Sequence, residues 1–182
     1  MAQALRKPVE QEIATLLEQG IITESISEWA SPIVVRRKMK DGKMEGVRMC
    51  IDFRKVNLVT KDDPFPLPRI EELIENLSVA KYITTLDLTR GYYQVPLEIS
   101  SRARTAFIPH NGKYEFTCLP FGTRTASGHF QKMVQKILRG SEKYAESFID
   151  DIVIFSNDFD MHMKHLTVVF DKLISAGLTA KP

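Results

Sequence analysis

The sequence has few of the features that mark secreted, membrane-spanning or zinc-stabilised proteins. Cys50 and Cys118 are its only cysteines, and they lie too far apart for a zinc motif, so we expect two buried free thiols in a reducing compartment. No apolar run approaches about 18 residues, which excludes an ordinary transmembrane helix. The N-terminus also lacks the basic and then apolar pattern of a signal peptide. We therefore expect an intracellular protein with no membrane partner.

Low-complexity tracts, repeats and a strong net charge are also missing. The 182 residues include nine Gly and nine Pro, and no Gly- or Ser-rich linker interrupts them. Hydrophobic residues make up 43% and charged residues 26%, which is typical of a globular protein. The length predicts one domain or two small interleaved lobes. The net charge of +2 does not by itself predict a polyanionic partner.

Positive charge is nevertheless concentrated in one short stretch. Its basic residues, opposed only by Asp41 and Glu45, are Arg36, Arg37, Lys38, Lys40, Lys43 and Arg48. The apolar run at 33–35 predicts a strand, residues 47–53 its partner, and residues 40–43 the turn between them. Such a cluster binds phosphates when the partner is a polyanion and otherwise forms a solvated hairpin face. On charge alone the solvated hairpin face is the favoured interpretation.

Apolar spacing predicts four helices and a larger number of strands. The helices are expected at 9–17, 70–77, 130–138 and from the N-cap Asn157 or Asp158 onward, with Gly20, Gly140 and Gly177 as stops. The strands are expected at 82–87, 92–97, 103–108, 114–117, 144–149 and 152–156, with a hairpin turn at Asn111-Gly112. Three prolines make residues 62–68 an extended connector between lobes.

Apart from the strands at 92–117, the second half is predicted to hold a strand at 82–87, a helix at 130–138, strands at 144–149 and 152–156, and a last helix. A final strand would complete a split βαβ sheet, so the fold class is α+β. The chain stops at Ala180-Lys181-Pro182, about where that strand should start. We therefore expect a longer parent polypeptide.

Two adjacent acids, Asp150 and Asp151, interrupt the apolar run at 148–155. Asp is a poor strand residue, and buried carboxylates cost several kcal/mol unless they are paired or bind a metal. The pattern favours a β-hairpin that presents both acids to a divalent cation, since Mg²⁺ prefers carboxylate and phosphate oxygens. A polar hairpin turn is the alternative.

A third acid, Asp87, ends the strand predicted at 82–87. In a split βαβ sheet this strand lies beside the acidic hairpin, so three carboxylates from distant parts of the sequence converge. Such a cluster suits a two-metal centre, in which one Mg²⁺ activates a hydroxyl nucleophile and the other neutralises a leaving pyrophosphate. Taken alone, Asp87 is better explained as a strand-end or turn residue, and only the predicted convergence with the hairpin favours a metal site.

Several motifs follow one another along the chain. In order they are residues 31–35 (SPIVV), 48–57 (RMCIDFRKVN), 64–68 (PFPLP), 86–88 (LDL), 91–94 (GYYQ), 119–122 (LPFG) and 148–151 (FIDD). With them the chain resembles the fingers and palm of retroviral-type reverse transcriptases, in particular those of gypsy-class long-terminal-repeat retrotransposons, from about Pro8 onward. The resemblance implies a right-hand α+β fold. Its fingers would span 1–61 and 98–125, and its palm, with a split βαβ sheet and helices on one face, 62–97 and 126–182, truncated before the thumb.

The resemblance also implies an RNA- and DNA-templated DNA polymerase that uses two Mg²⁺ ions, or Mn²⁺. The implied catalytic and metal-binding residues are Asp87, Asp150 and Asp151. The implied dNTP site comprises Lys38 and Arg48 on the triphosphate, Tyr92 as the steric gate under the sugar, and Leu88, Phe121 and Gly122. Template and primer contacts fall to Arg54, Phe148 and Ile149. The implied partners are an RNA and DNA template-primer and dNTP, with thumb, connection and RNase H regions on the parent polyprotein, in a cytoplasmic virus-like particle or the nucleus.

Some residues depart from the family's pattern. Phe121 replaces the Gln of retroviral members, which favours the retrotransposon class, and Phe148 replaces a common Tyr, which removes a hydroxyl near the primer end. Ser127 stands in place of an expected Pro, and His129 is atypical. These departures keep an alternative open, in which the chain is an inactive or co-opted nucleic-acid-binding or structural subunit.

Other assignments are disfavoured. The aromatic gate implied at Tyr92 argues against a ribonucleotide substrate and hence against an RNA-dependent RNA polymerase. The Gly-Gly-acid hairpin of palm-type nucleotide cyclases is absent from the sequence. His162 and His165 lie one helical turn apart, but without a third ligand we expect them to be packing or surface residues rather than metal ligands.

Overall fold

The chain divides into two units, each made from two separate stretches of sequence. In the computed structural model the described residues are 3–40, 43–66 and 68–181. Unit 1 comprises residues 1–61 and 95–126, and unit 2 comprises 62–94 and 127–182. The predicted segments change after 61, 97 and 125, and the assignment of fingers and palm to them stays a prediction. Parts of the predicted turn at 40–43, of the connector at 62–68 and of the chain end, namely Asp41, Gly42, Leu67 and Pro182, lie outside the described residues.

Helices and strands are interspersed along the chain. In chain order the helices are α1 (Arg6–Glu18), α2 (Arg54–Val59), α3 (Ile70–Ser78), α4 (Ile99–Arg102), α5 (Ala126–Leu138) and α6 (Phe159–Ser175). The strands are β1 (Ile22–Glu24), β2 (Ser31–Lys40), β3 (Lys43–Ile51), β4 (Tyr82–Asp87), β5 (Phe107–Ile108), β6 (Tyr114–Phe116), β7 (Ala145–Phe148) and β8 (Asp151–Ser156). Within the described ranges, no helix has the length and apolar character to cross a membrane.

Unit 1 is built on a five-stranded sheet in the order β1-β6-β5-β2-β3. All its pairs are antiparallel except that of β2 with β5. The helical spacing of Val9, Ile13 and Leu16 gives α1 one buried face. Phe107 and Phe116 lie in the core with ring centroids 5.4 Å apart. The predicted basic hairpin is therefore the β2–β3 pair at one end of this sheet.

Unit 2 is built on a three-stranded antiparallel sheet in the order β4-β8-β7. Residues 152–156 of the central strand β8 are all buried, which explains why this strand is continuously apolar instead of alternating. Phe130 and Val134 of α5 and Val169 of α6 are fully buried. Asp158 caps α6, as the sequence predicts, by accepting a hydrogen bond from the Met161 backbone N–H at 3.0 Å.

The segment after α6 returns to the end of β4. Leu88 and Ala180 form an antiparallel bridge, and the Lys181 backbone N–H donates to the Asp87 carbonyl at 2.8 Å. Gln94 donates to the Thr179 carbonyl at 2.9 Å and accepts from the Thr179 N–H at 2.7 Å. This is the place where the sequence predicts a final strand, and pairing with β4 begins there.

Three local predictions are wrong, and the helix α2 at Arg54–Val59 was missed. The strand expected at 92–97 is replaced by a one-turn 3-10 helix at Gly91–Gln94, and the strand expected from residue 103 begins only at Phe107. Cys50, expected to be buried like Cys118, is exposed. The first error has a tertiary cause, because Tyr92 is buried and stacks on Phe130 with ring centroids 5.1 Å apart. This packing outweighs the strand propensity of the local sequence.

Gly91 permits that packing and supplies the first prediction. A Cβ atom built on Gly91 would lie 2.8 Å from Phe130 Cζ, whereas one on Gly46 has open space within 4 Å. Gly91→Ala should therefore lower the free energy of unfolding by about 1–3 kcal/mol, the usual cost of overpacking. Gly46→Ala, the matched control, should change it by less than about 0.5 kcal/mol. Urea denaturation measures both, and equal stability of the two variants would contradict the packing described.

Candidate active site

Strand pairing brings Asp87 and Asp151 together. Asp87 ends β4, Asp151 begins β8, and the two are direct partners in the antiparallel ladder. Directly opposed residues of such a pair point to the same face of the sheet, with Cβ atoms about 4.5–5.5 Å apart. Of the three carboxylates that the sequence predicts to converge, Asp87 and Asp151 are thus paired in unit 2.

Asp150 occupies the turn between β7 and β8. Phe148 pairs with Asp151, so Ile149 and Asp150 form a two-residue loop. The Asp150 carbonyl accepts a hydrogen bond from the Leu88 backbone N–H at 3.0 Å, which fixes the turn against the end of β4. Ile149 has φ +56°, a left-handed conformation that β-branched residues rarely adopt. The turn therefore carries backbone strain beside the acids.

The side-chain amide of Gln131 holds this strained turn. Gln131 is completely buried in α5, and its Oε1 accepts from the Ile149 backbone N–H at 2.7 Å. Its Nε2 donates to the Ser147 carbonyl at 2.9 Å and to Ser147 Oγ at 3.2 Å. Sequence reasoning missed Gln131, although a polar residue on the same buried helix face as Val134 was a usable signal.

The acids influence one another electrostatically. The pKa of the Asp151 carboxyl is raised, first by partial desolvation and then by the negative charges of Asp150 and Asp87. Among the described residues, these acids included, no group of three or more His, Cys, Asp or Glu side chains is arranged to hold a metal ion. Carboxylate oxygens are the donors that Mg²⁺ prefers, and one or two of them are enough when substrate phosphates supply other ligands. The paired acids Asp87 and Asp151 therefore have the right chemistry for a hard divalent cation, whereas a preformed site made of all three acids is not present among the described residues.

Tyr92 lies in the core of unit 2. Its hydroxyl lies 2.9 Å from Ser127 Oγ, and its ring is only 7% exposed. Ser127 therefore supports Tyr92 in a way that the Pro expected at this position could not, because Pro has no hydroxyl.

The atypical His129 lies 4.0 Å from the Asp63 carboxylate. Leu88 is 1% exposed, so a contact of its side chain with nucleotide would require movement.

Lys38 and Arg48 share the exposed face of the β2–β3 hairpin in unit 1. Arg48 is the direct partner of Arg36, and Lys38 of Gly46. Because side chains alternate along a strand, Arg36, Lys38 and Arg48 point to one side. Like charges directly opposed across strands destabilise a hairpin, so an anion bound to this face would relieve the repulsion.

Phe121 and Gly122 belong to a loop of unit 1. Phe121 is half-exposed, and Gly122 has φ +89°, a conformation that favours glycine. Asn57 holds the loop: its Nδ2 donates to the Gly122 carbonyl, and its Oδ1 accepts from the Arg124 N–H, both at 2.9 Å. In the sequence Asn57 is only a member of the motif at 48–57, and no local pattern indicates this contact with a loop that is distant along the chain.

The remaining predicted residues have mixed environments. Arg54 donates from Nε and Nη2 to the Asp52 carboxylate at 2.9 and 2.6 Å, and this pairing lowers the pKa of Asp52 to about 2. Phe148 and Ile149 are partly exposed. A phosphate bound by Arg54 would therefore share the guanidinium with Asp52.

The two histidines of α6 are packing residues, as the sequence predicts. His162 is buried, with Nε2 2.8 Å from Thr84 Oγ1 and Nδ1 3.0 Å from Ser156 Oγ. His165 lies 2.8 Å from the same Ser156 hydroxyl and stacks on Tyr144.

The contacts of Gln131 predict a stability effect. Gln131→Leu would leave the Ile149 N–H and the Ser147 carbonyl without their partners, at about 1–3 kcal/mol for each buried group. We expect a decrease of about 2–5 kcal/mol in the free energy of unfolding, measured by urea denaturation. Gln135→Leu, at an exposed position of the same helix, is the control and should change it by less than about 0.5 kcal/mol. Unchanged stability of the Gln131 variant would show that its hydrogen bonds do not hold the turn.

Comparison with known protein families agrees with this geometry. The family model described as "Reverse transcriptase (RNA-dependent DNA polymerase)" matches residues 37–182. The Pol polyprotein of the Drosophila melanogaster transposon opus is 44% identical over 176 residues, which cover 96% of this chain and 18% of the polyprotein. That of the Drosophila transposon gypsy is 41% identical over 173 residues, covering 93% and 17%. The chain thus spans less than a fifth of these relatives.

Solved structures give the same result for the fold. The protease-reverse transcriptase of prototype foamy virus superimposes with a TM-score of 0.85 at 26% identity, covering 99% of this chain and 24% of the viral one. The foamy viral enzyme in complex with an RNA/DNA hybrid gives a TM-score of 0.88 at 26% identity, covering 100% and 24%. These matches confirm the predicted α+β fold of the reverse transcriptase type. The chain belongs to the reverse transcriptase family.

Proposed function

We propose that this chain is the DNA-synthesising part of a gypsy-class retroelement polyprotein and acts as an RNA- and DNA-templated DNA polymerase. The observation that carries the proposal is the pairing of Asp87 with Asp151 beside the Asp150 turn. The membership of the chain in the reverse transcriptase family supports it. The reaction joins the primer 3′-oxygen to the α-phosphorus of a dNTP and releases pyrophosphate.

In this proposal Asp87, Asp150 and Asp151 hold two Mg²⁺ ions, or Mn²⁺. When bound, the ions assist deprotonation of the primer 3′-hydroxyl and neutralise the charge that develops on the departing pyrophosphate. The protein itself contributes the positions of the acids. The β4–β8 register places Asp87 opposite Asp151, and the hydrogen bond from the Leu88 N–H to the Asp150 carbonyl fixes the backbone of the third acid. Most of the catalytic effect then comes from alignment and charge stabilisation.

Other residues recognise the nucleotide. Lys38 and Arg48 supply a point charge and a bidentate fork for the triphosphate oxygens. In unit 2, Tyr92 is the proposed gate against the 2′-hydroxyl and Leu88 is a further proposed dNTP contact. In unit 1, Phe121 and Gly122 are proposed dNTP contacts. Ser127, which bonds to the Tyr92 hydroxyl, keeps the gate in one position.

Template and primer are the proposed macromolecular partners. The foamy viral relatives were solved with double-stranded DNA and with an RNA/DNA hybrid, and we extend that binding to this chain through Arg54, Phe148 and Ile149. Thumb, connection and RNase H regions would lie elsewhere on the parent polyprotein, in a virus-like particle in the cytoplasm or in the nucleus.

The alternative of an inactive descendant has less support. It was motivated by the departure at Ser127 and His129, and the side chain of Ser127 has a supporting contact with Tyr92. We therefore favour the active polymerase.

Primer extension tests the role of the acids. Asp150→Asn removes a negative charge from the proposed metal site while keeping the shape of the side chain, so we expect at least about a hundredfold loss of extension with Mg²⁺ and dNTP. Asp171→Asn on the exposed side of α6 is the control and should extend normally. An Asp150 variant as active as the parent would rule out this role.

Sugar selection tests the role of Tyr92. Tyr92→Ala should raise ribonucleotide incorporation relative to deoxynucleotide by about tenfold or more, because one methylene or hydroxyl in a pocket discriminates by about that factor. The cavity left beside Phe130 also costs about 3–5 kcal/mol of stability, so a melting curve must confirm folding. Tyr92→Phe keeps the ring and should retain the discrimination. Unchanged sugar selection in the folded Ala variant would place the gate elsewhere.

A further inference from the structure

A groove of about 980 Å³ lies on unit 2, away from the residues assigned above. One wall is the face of α5 that carries Lys132 and Lys136, continued by Arg139 directly after the helix. The other wall is lined by Phe65, Pro66 and Pro68, and β7 forms part of the floor. Ser147 of the floor lies in β7, one residue before the end of that strand at Phe148, and the Ile149-Asp150 turn follows directly. The groove and the acidic turn are thus joined through the end of β7.

The charge of the groove is positive. Lys132, Lys136 and Arg139 are exposed and follow one another at helical spacing on a single face. The lining holds two acids, Glu142 and Glu146, against four basic residues, since Arg69 also lines the groove. Positive charges therefore outnumber negative ones on this surface.

The rest of the lining is apolar and includes an aromatic ring. Phe65 is partly exposed beside Pro66 and Pro68, and Leu138 and Ala145 lie beneath. Proteins that bind single-stranded nucleic acid combine a cationic wall for the phosphates with aromatic surfaces on which bases stack. A surface with both parts suits an unpaired strand better than a duplex, whose bases are already stacked.

An added polypeptide strand fits less well. Three outward groups on the edge of β7 and its turn are already bonded within the chain. The Ala145 N–H donates to the Ser141 carbonyl at 2.9 Å, and the Ser147 carbonyl and Ile149 N–H are bonded by Gln131. Pairing with a new strand would require these bonds to break, so the edge is protected.

We propose that this groove binds a single-stranded segment of nucleic acid, with its phosphates on Lys132, Lys136 and Arg139 and a base on Phe65. The inference rests on the proposed polymerase function and extends it by naming a second contact surface for the strand. It adds binding affinity without taking part in the chemical step.

Fluorescence anisotropy of a labelled 20-nucleotide oligo(dT) with the 182-residue chain provides the test. The triple variant Lys132→Glu, Lys136→Glu, Arg139→Glu should bind at least about tenfold more weakly, and its slope of log K against log salt should be shallower by about 2. Lys7→Glu, Lys81→Glu, Lys164→Glu changes the net charge equally at exposed positions outside the groove and should retain most of the affinity. Phe65→Ala should weaken binding by about tenfold without changing the salt slope.

The outcomes separate the groove from the catalytic proposal. The rate of incorporation of one nucleotide should be the same in the groove variant and the parent when the template-primer is saturating and its template overhang is a single base. Under these conditions the groove's contribution to binding affinity does not limit the rate. Equal loss of oligonucleotide affinity in both triple variants would overturn the groove assignment. So would competition by polyglutamate as strong as that by oligo(dT), which would indicate an acidic polypeptide instead. A parent chain that extends no primer, yet loses oligonucleotide binding only in the groove variant, would contradict the polymerase and support the groove.

Discussion

The register between β4 and β8 is the constraint on which the site depends. It places Asp87 opposite Asp151, and a shift of one residue would send one of them to the other face of the sheet. Backbone hydrogen bonds hold this register at both ends of the pair, because the Lys81 N–H donates to the Ser156 carbonyl and the Leu88 N–H donates to the Asp150 carbonyl, both at 3.0 Å. The backbone pairing in unit 2 thus determines where Asp87 and Asp151 meet.

Around this pairing the chain accepts local costs. Like charges gather at Asp87, Asp150 and Asp151, and Ile149 takes a backbone conformation that is unfavourable for its side chain. Buried hydrogen bonds from Gln131 offset part of that cost. Strain and repulsion of this kind persist where the surrounding structure enforces them, and a cation would relieve the repulsion.

Much of this arrangement follows from the sequence, and the failures have physical causes. The apolar run at 152–155, directly after Asp150 and Asp151, predicts a buried strand that begins at a pair of acids. The spacing of apolar residues predicts the main helices, because helical periodicity involves only residues three or four apart. The 3-10 turn at Gly91 was unpredictable, since it depends on the packing of Tyr92 against Phe130 from a different segment. The role of Gln131 likewise becomes visible only when α5 lies against the acidic turn. Local patterns thus predict the secondary-structure elements and the candidate site acids, whereas the contacts that support these acids are visible only in the tertiary structure.

Anomalous scattering from crystals of the chain soaked in Mn²⁺ tests the central claim most directly. The account predicts a peak bounded by carboxylate oxygens of Asp87 and Asp151, at the ordinary distance of about 2.0–2.3 Å for a hard divalent ion. The peak should disappear when Asp87→Asn crystals are soaked in the same way. A parent crystal whose bound ions all lie elsewhere on the molecule would contradict the claim that this strand pairing builds a metal site.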